Sequence, residues 1–205
     1  MRKTVLILMF GLAAAIVSCA DEDSTSDVNN GNGDNGGGTL DSLRTITLDH
    51  VDGSPATGQI TAGDSVVFYL RLKNAVADKA KGITNGFKIY SPDGATWGTV
   101  AGDFTGTLGK DDFDLVWKIN TFDIDGAGED TIGFGGAAMS GPGMPPGFDD
   151  IVYTITIGPI NTVGLNVCVD SAWYPTSGTW MWAYGPTVGS FPPSWDGPHC
   201  FEVVE

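Results

Sequence analysis

Three stretches of the chain alternate apolar and polar positions with a period of two. Val66–Lys73 places Val66, Phe68, Leu70 and Leu72 on one face, with Tyr69, Arg71 and Lys73 on the other. Phe113–Asn120 sets Phe113, Leu115, Trp117 and Ile119 inward against Asp114, Lys118 and Asn120 outward, and Ile151–Ile157 sets Ile151, Tyr153, Ile155 and Ile157 inward. Successive side chains of an extended backbone point to opposite faces, so this period predicts strands with one buried face and one wet face. Further strands are expected near 43–50, 84–91, 130–135, 163–170, 178–184 and 198–204. Turn clusters such as Ser91-Pro-Asp-Gly94 and Gly141-Pro-Gly-Met-Pro-Pro-Gly147 separate them. No window of useful length has an apolar period near 3.6. About nine strands at this spacing predict an all-β domain of two packed antiparallel sheets, a sandwich or jelly roll.

One stretch resists a simple reading. In Thr179-Trp-Met-Trp-Ala-Tyr-Gly185, Trp180, Trp182 and Tyr184 share one face of a strand while Met181 and Ala183 take the other. A row of flat aromatic rings suits a glycan chain, yet tryptophan also supplies large core area. Met181 and Ala183 make too small a face to be the only buried side of a core strand, so the aromatic face is expected inward. An exposed aromatic serves binding more readily in a loop, which singles out Trp173, Tyr174 and Trp195 as candidate ligand-binding residues.

The N-terminus changes the picture from fold to address. Arg2 and Lys3 precede the apolar run Thr4–Val17, the pattern of a secretory signal and not of a membrane span. Ile16-Val-Ser-Cys19 resembles a bacterial lipobox, which implies cleavage before Cys19 and lipid on the new terminus. Acyl chains on Cys19 would then hold the protein to the membrane. Residues 20–27 are acidic, resembling the tract that some outer-membrane lipoproteins carry for surface export, and a plain solvated tether fits them equally. Residues 27–38 carry one large apolar side chain, too few to offset ordering entropy, so 19–39 reads as lipidated cysteine plus a flexible linker. The expected organisation is a signal peptide over 1–18, the linker over 19–39 and a sandwich over 40–205, displayed at the cell envelope, on the outer membrane or cell surface.

Without Arg2 and Lys3 the chain has 8 basic against 25 acidic residues, a net charge of −17. That balance opposes nucleic-acid binding, which needs cations against phosphates, and opposes docking on anionic lipid. With Cys19 assigned to lipid, Cys168 and Cys200 remain in an oxidising compartment and are expected to bridge. Closing that loop contributes roughly 3 to 4 kcal/mol on the chain-entropy model.

Catalytic signals are sparse. No Gly-x-Ser-x-Gly elbow occurs, and the two histidines, His50 and His199, have no paired ligand or triad spacing. Of the four glutamates, Glu22 lies in the tether and Glu202 and Glu205 at the C-terminus, leaving Glu129 inside the domain, and the paired carboxylates of a glycosidase are unsupported. No catalytic residue or cofactor is assigned, and a hydrolase is the least supported class. The segment 123–130, DIDGAGED, is the best candidate calcium loop: Asp123, Asp125 and Asp130 offer the oxygen ligands that calcium prefers. An acidic hairpin turn is the preferred alternative for the same residues.

Gly63-Asp-Ser-Val66 opening an alternating strand, followed by Ile83-x-x-Gly86-Phe87-x-Ile89-Tyr90-Ser91-Pro92, resembles the first half of cohesin-type domains. Gly147-Phe-Asp-Asp-Ile-Val-Tyr-Thr-Ile-Thr-Ile157 resembles a later strand of that family. The likeness spans roughly 60–160 and shares motifs with carbohydrate-binding sandwiches. Cohesins dock a calcium-loaded dockerin module on one sheet face, so the resemblance implies a non-catalytic, surface-displayed lipoprotein that binds a protein module or a glycan. Ser91 stands where the family has Asp, and 168–200 has no placed counterpart, so no dockerin face carries over residue by residue. A structural, self-assembling envelope or appendage protein is the alternative from a different class.

Overall fold

A computed structural model describes residues 42–53, 58–105, 108, 112–119, 129–172, 180–185 and 188–205, all within the unit Gly38–Glu205. Among them are thirteen strands and no helix. In chain order they are β1 (Arg44–Asp52), β2 (Gln59–Thr61), β3 (Val66–Asn74), β4 (Gly82–Tyr90), β5 (Trp97–Phe104), β6 (Leu115–Ile119) and β7 (Asp130–Ala137). They continue as β8 (Phe148–Ile160), β9 (Asn166–Ser171), β10 (Met181–Ala183), β11 (Ser190–Phe191), β12 (Ser194–Trp195) and β13 (His199–Val204). The first sheet runs β12-β1-β3-β8-β5. In the second, β4 carries β7 and then β6 on one edge. Its other edge is shared by β10, opposite Gly82–Thr84, and β9, opposite Phe87–Tyr90, with β13 and β2 beyond. Pairing is antiparallel apart from two short parallel contacts, β1 with β12 and β13 with β2.

The two inner faces meet in a core of Phe68, Leu70, Leu72, Phe87, Ile89, Ile132, Phe134, Tyr153, Ile155 and Trp182, all fully buried. Phe134 stacks on Tyr153 at 4.2 Å between centroids. Burying each such side chain contributes about 1.5–3 kcal/mol. Polar ties cross between the sheets. Asn85 Nδ2 on β4 donates to the Tyr153 hydroxyl on β8 at 2.7 Å, and within the second sheet Trp182 Nε1 donates to Asn85 Oδ1 at 3.1 Å. The Trp97 indole on β5 donates to Asp130 on β7 at 2.7 Å. A buried amide is tolerated here because its neighbours satisfy both ends.

Trp180, Trp182 and Tyr184 face inward as the comparison of faces predicts, while Met181 and Ala183 are half-buried on the outside. The Tyr184 hydroxyl donates to Asn74 Oδ1 at 3.0 Å, and Trp180 Nε1 donates to Gly86 O at 2.6 Å. Cys168 and Cys200 form a disulfide between β9 and β13.

Two inward rows depart from the sequence pattern. Along β8 the register steps from Tyr153 opposite Leu70 to Ile151 opposite Arg71, which skips Val152. This bulge buries Val152 and moves Ile151 to the half-buried outer row. The larger departure is at 113–119. Phe113 is buried before the strand begins, whereas Leu115 and Trp117 are 55% and 39% exposed. Opposed residues of an antiparallel pair share a face. Val116 pairs with Gly136 and Lys118 with Phe134, so these look inward and Leu115 and Trp117 look outward beside Ala137 and Gly135. Phe113 fills the inner space above Gly136, where a Cβ would lie 3.0 Å from its ring.

Candidate docking face

The outer faces of the two sheets differ in chemistry. On the first sheet, Arg71 bridges Asp49 (2.7 Å) and Asp149 (3.2 Å), and the His50 ring stacks on Tyr69 at 4.0 Å. Hydrogen bonding by Arg71, and then by His50, lowers the Asp49 pKa. Exposed pairs of this kind contribute little stability but keep a sheet face wet. On the second sheet the outer row of β4 is Gly82, Thr84, Gly86 and Lys88, and that of β7 includes Gly133, Gly135 and Ala137. Leu115 and Trp117 flank it on β6, Met181 and Ala183 on β10.

Glycines at alternate positions of β7 put no side chains on the outer face, and Gly133 and Gly135 are themselves buried. The Trp117 indole lies on Gly135, so close that a Cβ at 135 would fall within the ring. A close approach of this kind requires glycine. The result is a strip in which Trp117 covers the buried glycine row, with Leu115 beside it. Its exposed apolar side chains suit another protein surface.

One end of the strip is fixed by Asp114. Its carboxylate accepts from the backbone N–H groups of Met139 (2.6 Å), Ser140 (2.7 Å) and Gly141 (2.9 Å) and from the Ser140 hydroxyl (2.8 Å). The N–H groups of Gly141 and Ser140, then the hydroxyl, hold this carboxyl far below the usual carboxylate range. Lys81 Nζ donates to Gly141 O at 2.7 Å from the other side. The clamped loop carries Met139, 84% exposed.

No protein-family model matches the chain, and no curated protein matches it. Solved structures do. The sixth cohesin from Acetivibrio cellulolyticus scaffoldin B, in complex with a mutant Cel5 dockerin, superposes with a TM-score of 0.51 at 11% identity, covering 78% of this chain and 98% of that one. The third cohesin ScaC of the same organism, in complex with the ScaB dockerin, gives 0.51 at 12% identity, covering 80% and 100%. A cohesin module from a family 33 glycoside hydrolase of Clostridium perfringens ATCC13124 gives 0.50 at 8%, covering 82% and 99%. The domain is a cohesin-like β-sandwich. At these identities the likeness speaks for the fold alone.

Of the sequence-predicted site residues, Asp130, Trp195, Cys168 and Cys200 are described, and the two cysteines are brought together as the disulfide. Trp173 and Tyr174 lie outside the described residues, as do Cys19, Asp123 and Asp125. Asp130 is described, and its carboxylate accepts from Trp97. Trp195 is not the exposed loop aromatic that the sequence suggests. It belongs to β12 and packs edge-on against Phe87 (5.6 Å) and Trp180 (5.8 Å), with its indole donating to Asp170 at 3.0 Å. His50 and His199 each contact a neighbouring aspartate, Asp49 at 3.0 Å and Asp196 at 2.8 Å. The residues of the strip were not singled out from sequence. The alternating Gly133 and Gly135 beside a tryptophan-bearing strand are the signal that identifies it.

Proposed function

We propose that the chain is a non-catalytic, envelope-anchored lipoprotein whose cohesin-like domain docks a small protein module of dockerin type on the outer face of the second sheet. The observation that carries this reading is the strip itself, where Leu115 and Trp117 stand exposed on the outer face of the sheet. The cohesins crystallised with dockerins support the partner class by likeness of fold. Cys19 supplies the anchor and residues 20–39 the tether. A glycan partner has less support, because Trp195 is built into the core packing.

The test is a panel of calcium-loaded dockerin modules, screened by biolayer interferometry against the full-length chain and its Trp117→Ala and Leu115→Ser variants. Binding weakened by about tenfold or more in either variant supports the reading, since a central aromatic anchor typically contributes over 1 kcal/mol. A panel without a binder, or binding indifferent to both substitutions, removes it. Mass spectrometry of the mature N-terminus tests the anchor separately, and an unmodified Cys19 discards that part.

A further inference from the structure

We propose, resting on the docking reading above, that Asp114 is the positioning residue of the docking face: it sets the phase of β6, so that Leu115 and Trp117 point outward against the strand's own hydrophobic pattern. Phe113, Leu115 and Trp117 stand at alternate positions, and in one unbroken strand they would share a face. The structure separates them. Phe113 is fully buried against Gly136, whereas Leu115 and Trp117 lie beside Ala137 and Gly135 on the outer face. The alternation breaks between 113 and 115, where the chain bends at Asp114 before β6 begins.

Three consecutive residues at this bend are held by β7 and the segment that follows it. Asp112 O accepts from the Gly143 N–H at 2.8 Å, and Phe113 fills the space over Gly136. The Asp114 carboxylate takes the N–H groups of Met139, Ser140 and Gly141 and the Ser140 hydroxyl. That segment is itself rooted at the start of β4. The Ala138 N–H donates to Lys81 O at 2.7 Å, Lys81 Nζ donates to Gly141 O at 2.7 Å, and Ala80 and Met144 exchange backbone hydrogen bonds of 3.0 and 2.9 Å. Hydrogen bonds to an ionised acceptor are stronger than neutral ones, so the carboxylate is the principal polar hold on the bend. Farther along β6 the exposed Lys118–Asp103 pair, at 3.2 Å, adds little.

A change of phase by one residue moves every side chain of a strand to the other face. In β6 it would turn Leu115 and Trp117 toward the core and Val116 and Lys118 toward water, the arrangement that hydrophobicity alone favours. Instead Lys118 stands opposite Phe134 while Leu115 and Trp117 are exposed. Elements that break their own local rule are expected at functional sites. A strand clamped in that state presents its two apolar side chains ready placed, and a docking partner does not have to order them.

The experiment uses the full-length chain, with calcium-loaded dockerin modules as probes in biolayer interferometry and hydrogen exchange and NMR on the free chain. Asp114→Ala is expected to weaken docking about tenfold, as loss of an anchor does, and Asp114→Asn, which keeps one acceptor oxygen, to weaken it less. Asp114→Ala is also expected to speed exchange at the β6 amides while β3 and β8 stay protected, and to abolish the nuclear Overhauser contact between the Trp117 indole and Gly135. Gly141→Ala, whose Cβ would lie 2.7 Å from Asp112 O, disturbs the clamp from the other side and should act alike. If Trp117→Ala abolishes docking while Asp114→Ala leaves docking and the Trp117–Gly135 contact intact, this inference falls and the docking reading stands. If no module binds, the docking reading falls, and the Trp117–Gly135 contact in Asp114→Ala alone decides the phase of β6. A loss of global stability in Asp114→Ala with that contact and the β6 exchange unchanged refutes the positioning role.

Discussion

Two glycines in facing sheets should respond oppositely to the same substitution, alanine. Neither has a left-handed backbone, so the outcome depends on what the new methyl group meets. At Gly102 on β5, a Cβ would lie 2.6 Å from Phe134 Cζ and 2.8 Å from Ile132 Cγ2. Both neighbours are fully buried, and Phe134 is locked between Tyr153, stacked at 4.2 Å, and Phe104, edge-on at 5.6 Å. Restoring ordinary contact requires a shift of about 1 Å in a close-packed interior, and overpacking of that kind costs about 1–3 kcal/mol. For a domain of this size each kcal/mol lowers Tm by about 2–4 °C, so Gly102→Ala should lose roughly 2–12 °C. At Gly135 the methyl meets the Trp117 indole, which is 39% exposed on the outer surface and gives way more readily than the buried Phe134. Its lost contact is offset by the lower backbone entropy of alanine, about 0.5–1 kcal/mol, so stability should change by less than about 1 kcal/mol. Docking should suffer instead, because the Trp117 indole is displaced from its place on the outer face. Urea unfolding at constant m value measures the first quantity and biolayer interferometry the second. A Gly135→Ala variant as unstable as Gly102→Ala, or a Gly102→Ala variant of wild-type stability, refutes the assignment of these rows to outer and inner faces.

Asn85→Ala removes a partner from both the Tyr153 hydroxyl and the Trp182 indole in the core, and should cost about 1–3 kcal/mol in urea unfolding. Reducing the Cys168–Cys200 bridge releases a loop with a sequence separation of 32, and should cost roughly 3–4 kcal/mol, read as a shift in urea midpoint with and without reductant. The Asp114 clamp should survive acid. A carboxyl whose folded pKa is depressed contributes stability that is complete above its ordinary value of 3.8 and lost only as pH falls through the lower folded value. Hydrogen exchange at Ser140 and Gly141 should therefore stay protected, after correction for intrinsic rate, through the pH range in which exposed aspartates titrate. Deprotection near pH 4 contradicts the clamp.

How far the sequence reveals this molecule depends on what fills each face. The alternation in Val66–Lys73 predicts β3 correctly because that strand lies mid-sheet, with core on one side and water on the other. The aromatic row of Trp180, Trp182 and Tyr184 was legible because its opposite face is too small to be a core face. The same rule misplaces Leu115 and Trp117. Their apolarity equals that of a buried row, but the inner space beside β6 is already taken by Phe113, Ile132 and Phe134, supplied from outside the strand. Strand β5, with Gly98 and Gly102, carries too little apolar pattern to be seen, although Gly102 is small for a packing reason. Hydrophobicity records that a residue contacts apolar surface, and it does not record whether that surface belongs to the same molecule. Where an alternating row faces glycines on the adjacent strand, as Trp117 faces Gly135, the outward reading is the physically better one, because a glycine floor has no side chains with which to build a core. In the observed register Leu115 faces Ala137 and Trp117 faces Gly135, whereas Val116 faces Gly136 on the side that Phe113 fills, and this is why Leu115 and Trp117 take the outer row.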